Sequence, residues 1–257
     1  MKIASTSNPR IQAALRAVEG GERLLLEGAR AIGEALAAGI VPREIFLEGD
    51  EGPPRDDAVR GAAERGAALC HVTSKVLSRL SDLPSTRGVV ALAVPPRRAL
   101  PDLRLPDDAL VLFLDGIQDP ANVGATLRSA EAFGVAAALL TPDCASPFSP
   151  KSVRASALSA LRLPIATGVS PDDAAAWAAE SGAVMAGAET RGGEPPAVLS
   201  GIRPLVLVVG SEGRGISPAL EARLSRRVTI PLAGRVESLN AAVAAGILLA
   251  LASGREV

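Results

Sequence analysis

ALVLFLDGIQDPANVGATLRSAEAFG, residues 109–134, opens on an unbroken apolar run, passes through a polar turn and closes on a helical pattern. The apolar run reads as a strand buried on both faces, and the helix is expected to begin near Asn122. Such a unit sets side chains at the C-terminal edge of a strand, where open α/β sheets bind ligands. Asn122, Gly124 and Arg128 follow within two helical turns, so an amide, a bare backbone and a guanidinium are expected to face one crevice. A capped helix with a surface arginine is the alternative.

Downstream the apolar runs VAAALL, AVMAG and LVLVVG alternate with helical segments, which predicts a parallel sheet covered on both faces. Ser170 with Pro171, and Ser217 with Pro218, each followed by an early acid, mark two helix starts. Trp177, on the first of these helices, is read as a core anchor. PLVLVVGSEGRGIS, residues 204–217, runs from a buried strand into Gly210, Glu212, Gly213 and Gly215. No GKS or GKT follows, and neither the spacing nor the long helix of GxGxxG is there, so it is neither a P-loop nor a dinucleotide fingerprint. RVTIPLAGRVESLNAAVAAGILLALA, residues 227–252, joins a short strand to a polar turn with Ser238 and Asn240 and then to a helix of small apolar residues, for which Ser238 is the expected cap.

Upstream, PPRRALPDLRLPDD, residues 95–108, holds four prolines and six charges with no apolar period, the composition of a linker. The expected organisation is a first domain over residues 1–98, a linker over 99–108 and an α/β domain over 109–257. In the first, EGARAIGEALAAG and DDAVRGAAERGA read as helices, REIFLEG and RGVVALAVP as strands, and Ser74 as the cap of SKVLSRLSD.

The 257 residues are 48% hydrophobic, yet no apolar run approaches the roughly 18 residues of a membrane span, and MKIASTSNPR lacks a signal peptide's apolar stretch. A cytoplasmic protein without a membrane partner is expected. Cys70 and Cys144 have no metal-ligand spacing and read as buried thiols, with no metal. His71, the single histidine, leaves no ordinary catalytic triad or HExxH site. A net charge of −1 confines any RNA contact to local patches, and 2% aromatics with no tyrosine argue against a base-stacking platform.

In this order and spacing, DPANVGATLRSAEAFG, VVGSEGRGIS and IPLAGRVESLNAAVAAGILL resemble the motifs of the SpoU-type, TrmH-like ribose methyltransferases of the SPOUT superfamily. SPKSVRASALSALRLPI resembles the family's linking region but departs from its RASxGA form, so no role is read there. STSNPRIQAALR followed by RLLLEGARAIGEALAAG resembles the family's small substrate-binding domain, a ribosomal-protein-like α/β sandwich.

The resemblance implies a C-terminal parallel-sheet domain with a deep trefoil knot and a small N-terminal α/β domain, working as a homodimer through the knotted domain. It implies S-adenosylmethionine held by loops at Gly210, Ile230, Leu232 and Leu239, with no acidic ribose-binding residue. Arg128 takes the activating role, Asn122, Glu212, Ser238 and Asn240 fix the geometry, and the product is a 2′-O-methylated ribose in structured RNA, ribosomal slightly favoured over transfer RNA. Arg10, Arg23, Arg30 and Arg214 are the expected phosphate contacts. Two other classes compete: an RNA-binding or ribosome-assembly factor without turnover, against which the intact Asn122, Arg128, Glu212 and Asn240 count, and a nucleotide-dependent oxidoreductase, against which the missing fingerprint counts.

Overall fold

Asn8 accepts a hydrogen bond from the Arg10 amide at 2.9 Å, and Pro9 occupies the first helical position, so the chain enters helix α1 (Pro9–Glu19) with its exposed donors answered. The structure, a computed structural model, describes residues 2–50, 52–81 and 88–254. Asp82 and Arg87, at the ends of two expected stretches, lie outside the described residues. The chain divides into two units, Met1–Pro96 with Phe148–Pro150, and Arg97–Pro147 with Lys151–Val257.

The first unit continues through β1 (Leu24–Glu27), α2 (Ala29–Ala37), β2 (Glu44–Glu48), α3 (Asp57–Glu64), β3 (Ala68–Val72), α4 (Ser74–Leu80) and β4 (Val89–Ala93). Its sheet has the order β1-β4-β2-β3, with β2 and β3 parallel and the other pairs antiparallel. Because side chains alternate across a strand, Leu25, Phe46, Val72, Val90 and Leu92 pack on one side with Ile11 and Ala14 of α1 and Val76 and Leu77 of α4. On the other side α2 packs against α3, β1 and β4. Thr73, rather than Ser74, precedes α4, and its side chain makes no capping bond. His71 sits half-buried on β3.

The second unit is built on β5 (Arg97–Arg98), β6 (Leu110–Asp115), α5 (Pro120–Ala132), β7 (Ala137–Leu140), α6 (Pro150–Ala155), β8 (Ile165–Thr167), α7 (Pro171–Glu180), β9 (Val184–Glu189), β10 (Leu205–Gly210), α8 (Pro218–Glu221), β11 (Arg226–Thr229) and α9 (Ala241–Ser253). All pairings in its seven-stranded sheet are parallel, in the order β11-β9-β10-β6-β7-β8-β5. Val111, Phe113, Val206 and Val208 face a core shared with Ala174 and Trp177 of α7, where Trp177 is the anchor its sequence context suggests. On the opposite side α9 packs on β9, β10 and α5. Ser170 caps α7 through its Oγ, which accepts from the Asp173 amide at 3.1 Å. Ser217 makes no such bond, and α8 is a single turn.

The proline-rich stretch before β6 is packed rather than loose. Arg97 and Arg98 pair with β8, Leu103 is buried in the core of the second unit, and Leu100 and Leu105 pack against it. The leucines between the prolines supply an apolar anchor that composition alone hides. Among the described residues no helix is long and apolar enough to cross a membrane, and no group of three or more His, Cys, Asp or Glu is placed to hold a metal ion. Cys70 is buried, whereas Cys144 is half-buried, its thiol donating to the Leu114 carbonyl at 3.3 Å.

Candidate active site

The parallel pairing aligns strand ends. Gly210 stands in register with Asp115, and Glu189 with Thr229, so β6, β10, β9 and β11 all release their chains at one edge of the sheet. Two side chains pin that edge. Asp115 Oδ2 accepts from the Ser217 amide at 2.6 Å, and Thr141 Oγ accepts from the Gly116 amide at 3.0 Å while donating to Asp143 at 2.6 Å. Between them the chain after β10 doubles back, Ser211 and Gly215 exchanging backbone bonds of 2.8 and 3.1 Å. This turn requires a glycine at 210, since a Cβ there would collide with the Gly215 carbonyl and the Ile216 nitrogen.

α5 starts earlier than its sequence suggested. Asp119 is the cap, accepting from the Ala121 amide at 3.0 Å, and its bond from Lys151 at 2.7 Å, together with that amide, holds its carboxyl below the usual carboxylate range. Asn122 is thereby one turn inside, with its side chain free for other work. Its Nδ2 donates to Glu212 Oε1, and its Oδ1 accepts from Asn240 Nδ2 at 3.0 Å. Asn240 Nδ2 also reaches Glu212 Oε1 at 3.4 Å, as does the Ala241 amide at 3.4 Å. Glu212 therefore rests on the N-terminus of α9, where the helix dipole favours a negative charge. Asn240, not Ser238, caps that helix, its Oδ1 accepting from the amides of Ala242 and Val243. One amide thus performs both tasks, and Ser238 is left to the loop.

Beside this network lies a cavity of about 350 Å³. Gly210, Glu212, Ile230, Leu232, Ser238 and Leu239 all line it. The volume is in the range of small-ligand sites, and its mix of bare backbone, aliphatic wall and few polar groups suits a ligand read largely through main-chain atoms. Arg214 also borders it, bridged to Asp143 at 3.4 Å. Two acids that the sequence reading did not single out, Glu189 and Glu221, belong to the same lining. Burial pushes the Glu189 carboxyl above its ordinary range and the Glu221 carboxylate adds to the rise, with Arg227 partly offsetting it. The sequence does carry a signal for Glu189: an apolar run, AVMAGA, that ends on an acid at a strand's C-terminal edge.

Other expected residues are not in this constellation. Gly124 is buried against α6, where a Cβ would lie 2.6 Å from that of Ala155 and 3.0 Å from the Ser156 nitrogen, so it is a packing glycine. Arg128 is exposed on α5, with no hydrogen bond or ion pair among the described residues, and does not line the cavity. Helical spacing puts it with Ala121 and Ala125, which border an apolar groove shared with Val243, Ile247 and Ala250 of α9. In the first unit Arg10 is engaged by Glu44 at 2.7 Å, and Arg23 donates to the neighbouring Glu22 carbonyl at 3.2 Å. Arg30 is exposed and has no such partner among the described residues.

Known proteins resemble this chain in sequence and fold. Residues 109–250 match the SpoU rRNA Methylase family, and residues 16–91 match an MRM3-like substrate binding domain. An "Uncharacterized tRNA/rRNA methyltransferase" of Mycolicibacterium gilvum (strain PYR-GCK) is 34% identical over 232 residues, 87% of this chain and 74% of the relative. Among solved structures, an AdoMet-bound rRNA methyltransferase from Sinorhizobium meliloti aligns with a TM-score of 0.87 at 26% identity, over 98% of this chain and 97% of that one. An RNA 2′-O ribose methyltransferase aligns with a TM-score of 0.79 at 31% identity, over 98% of each chain.

Proposed function

The chain belongs to the SpoU rRNA methylase family of RNA methyltransferases, and from that membership we propose that it transfers a methyl group from S-adenosylmethionine to a ribose 2′-hydroxyl of structured RNA, ribosomal before transfer RNA. One observation carries the reading: the hydrogen-bonded Asn122, Glu212 and Asn240 flank the cavity lined by Gly210, Ile230 and Leu239. An AdoMet-bound structural relative and a relative named for 2′-O ribose methylation support the cofactor and the target atom. The path from β11 through Ser238 to α9 is read as the part that threads the trefoil knot.

The cavity fits the cofactor in size and in its backbone lining. Bound there, S-adenosylmethionine supplies an electrophilic methyl group on a sulfonium. Gly210, Ile230, Leu232 and Leu239 hold it, while Asn122, Glu212, Ser238 and Asn240 orient the reacting groups, and orientation can contribute about 7 to 11 kcal/mol to such a displacement. Arg128 binds the phosphate beside the target ribose and stabilises the developing alkoxide. It does not take the proton itself, since a guanidinium is too weak a base. The hydroxyl proton passes to the neighbouring phosphate or to the Glu212 carboxylate as the methyl–oxygen bond forms, and S-adenosylhomocysteine leaves.

RNA capture falls to the first unit, with Arg30 its readiest phosphate contact and Arg10 and Arg23 secondary because both are already engaged. Arg214 is available at the cavity rim, since an exposed ion pair such as its bridge to Asp143 is weak. The test is incubation with labelled S-adenosylmethionine and total RNA, followed by mapping of the labelled nucleotide. Label on a ribose 2′-oxygen, with a yield that falls as salt rises, is the expected result. Label on a base would overturn the 2′-O assignment, and cofactor binding without transfer to any RNA would favour the assembly factor.

The homodimer is drawn from α9. Val243, Ile247 and Leu251 recur every four residues and remain 51%, 37% and 45% exposed, a stripe that a monomer in water would not keep bare. A second copy on this face would bring its surface to the groove between α5 and α9, about one helical turn from Arg128. Ile247→Asp is expected to yield monomers in sedimentation and to lower transfer; a dimer of undiminished affinity would refute the assignment.

A further inference from the structure

Four glutamates and one arginine line the cavity, and their charges are not equally answered. Glu212 is met by Asn122, Asn240 and the Ala241 amide. Arg214 is met by Asp143. Glu189 differs. Its Oε1 is shut away from solvent and has no hydrogen-bond partner among the described residues. The guanidinium of Arg227, whose charge reaches it, does not bond that atom and instead donates to the Glu221 carbonyl at 3.2 Å. A buried acceptor with no donor weakens a fold, and because Glu189 belongs to the lining of a ligand-sized cavity, its carboxylate has the character of a group waiting for a ligand's donor.

The position narrows the donor. Glu189 closes β9, which lies between β11 and β10, so its side chain stands one strand from Gly210 on the edge where the parallel strands end. On that edge of a parallel sheet an acidic side chain is suited to the paired hydroxyls of a nucleoside ribose, since a carboxylate has two oxygens and a vicinal diol two donors. The spacing of a dinucleotide fold holds no such acid, because here the acid arrives on a different strand from the glycine turn.

We propose that Glu189 accepts the hydrogen bonds of the cofactor's ribose hydroxyls and so selects a nucleoside-containing methyl donor. This rests on the reading of the cavity as the cofactor site. The role is one of binding: Glu189 fixes the nucleoside half while the Asn122–Glu212–Asn240 network addresses the reacting half.

The test is titration calorimetry with S-adenosylhomocysteine and with its 2′-deoxy and 3′-deoxy counterparts, on the unaltered protein, Glu189→Ala and Glu189→Gln. For the parent ligand, Glu189→Ala should lose about ten- to a hundredfold in affinity, and Glu189→Gln, which keeps one acceptor, should lose less. For a deoxy ligand the unaltered protein should lose affinity too, and Glu189→Ala should add little to that loss, because the two changes remove the same bond. Thermal unfolding without ligand supplies a second readout. Removing a carboxylate whose Oε1 is buried without a partner should leave the melting temperature unchanged or raise it, whereas a structural role would lower it. Equal losses for parent and deoxy ligands would assign Glu189 to another cofactor group and overturn the proposal, as would unchanged affinity in both variants. If the unaltered protein binds none of these ligands, the cofactor reading of the cavity falls first and the role of Glu189 falls with it.

Discussion

An Arg128→Ala variant is expected to lose about a hundredfold or more in single-turnover methyl transfer while its affinity for S-adenosylmethionine stays within about twofold. The split follows from where the side chain stands. Arg128 is exposed, is absent from the lining of the cavity and takes no part in the Asn122–Glu212–Asn240 network, so its removal leaves the cofactor's surroundings as they were. What it takes away is an exposed guanidinium with no partner among the described residues, about one helical turn from Ala125 of the groove on which the proposed second protomer would sit. A hundredfold corresponds to about 2.7 kcal/mol, the scale measured when one preorganised donor to a developing oxyanion is deleted. Arg128→Lys should recover only part of the rate, because an ammonium keeps the charge but not the two-pronged geometry. Single-turnover kinetics with cofactor in excess, paired with calorimetry, checks both halves. Unchanged rates would remove Arg128 from the chemistry, and a parallel collapse of cofactor affinity would show that it acts through the binding site.

The sheet was legible because its strands are short apolar runs between turn residues, and burial on both faces leaves little else for VAAALL or LVLVVG to be. Helix starts were legible where a cap and a proline coincide, as at Ser170. Ser217 with Pro218 does start α8, although the Ser217 side chain makes no capping bond, whereas at α9 the cap was misread, because Asn240 rather than Ser238 reaches the free amides. Non-locality limited the site. Helical spacing allowed Asn122, Gly124 and Arg128 to share a crevice, but the crevice is decided by what packs on α5, and α6 covers Gly124 while α9 meets Asn122. Glu189 carries only a weak local signal, an apolar run that ends on an acid. Its significance comes from the parallel register that brings the ends of β9 and β10 together, and register is a property of pairing that periodicity in one segment does not encode.

Gly210→Ala is the harshest single-methyl change the cavity offers, and it is expected to lower the affinity for S-adenosylhomocysteine by about ten- to a hundredfold. Any larger residue in the last position of β10 points its Cβ into the Gly215 carbonyl and the Ile216 nitrogen. These are backbone atoms, so the strain cannot be relieved by a rotamer change. Relief requires the Ser211–Gly215 turn to open, breaking bonds of 2.8 and 3.1 Å and moving Glu212 away from Asn122 and Asn240. Overpacking of this kind costs about 1 to 3 kcal/mol, and here the displaced atoms are those that line the cavity. Gly213, three residues on in the same turn, supplies the contrast: a Cβ there meets nothing within 4 Å, so Gly213→Ala should cost far less. Both variants should retain the circular dichroism of a folded α/β protein, since neither glycine belongs to the buried clusters of the two units. Calorimetry at a temperature where both are folded then reads the turn alone. Equal affinities for Gly210→Ala and Gly213→Ala would mean that the close approach at Gly210 does not shape the binding site, whatever the glycine content of the loop.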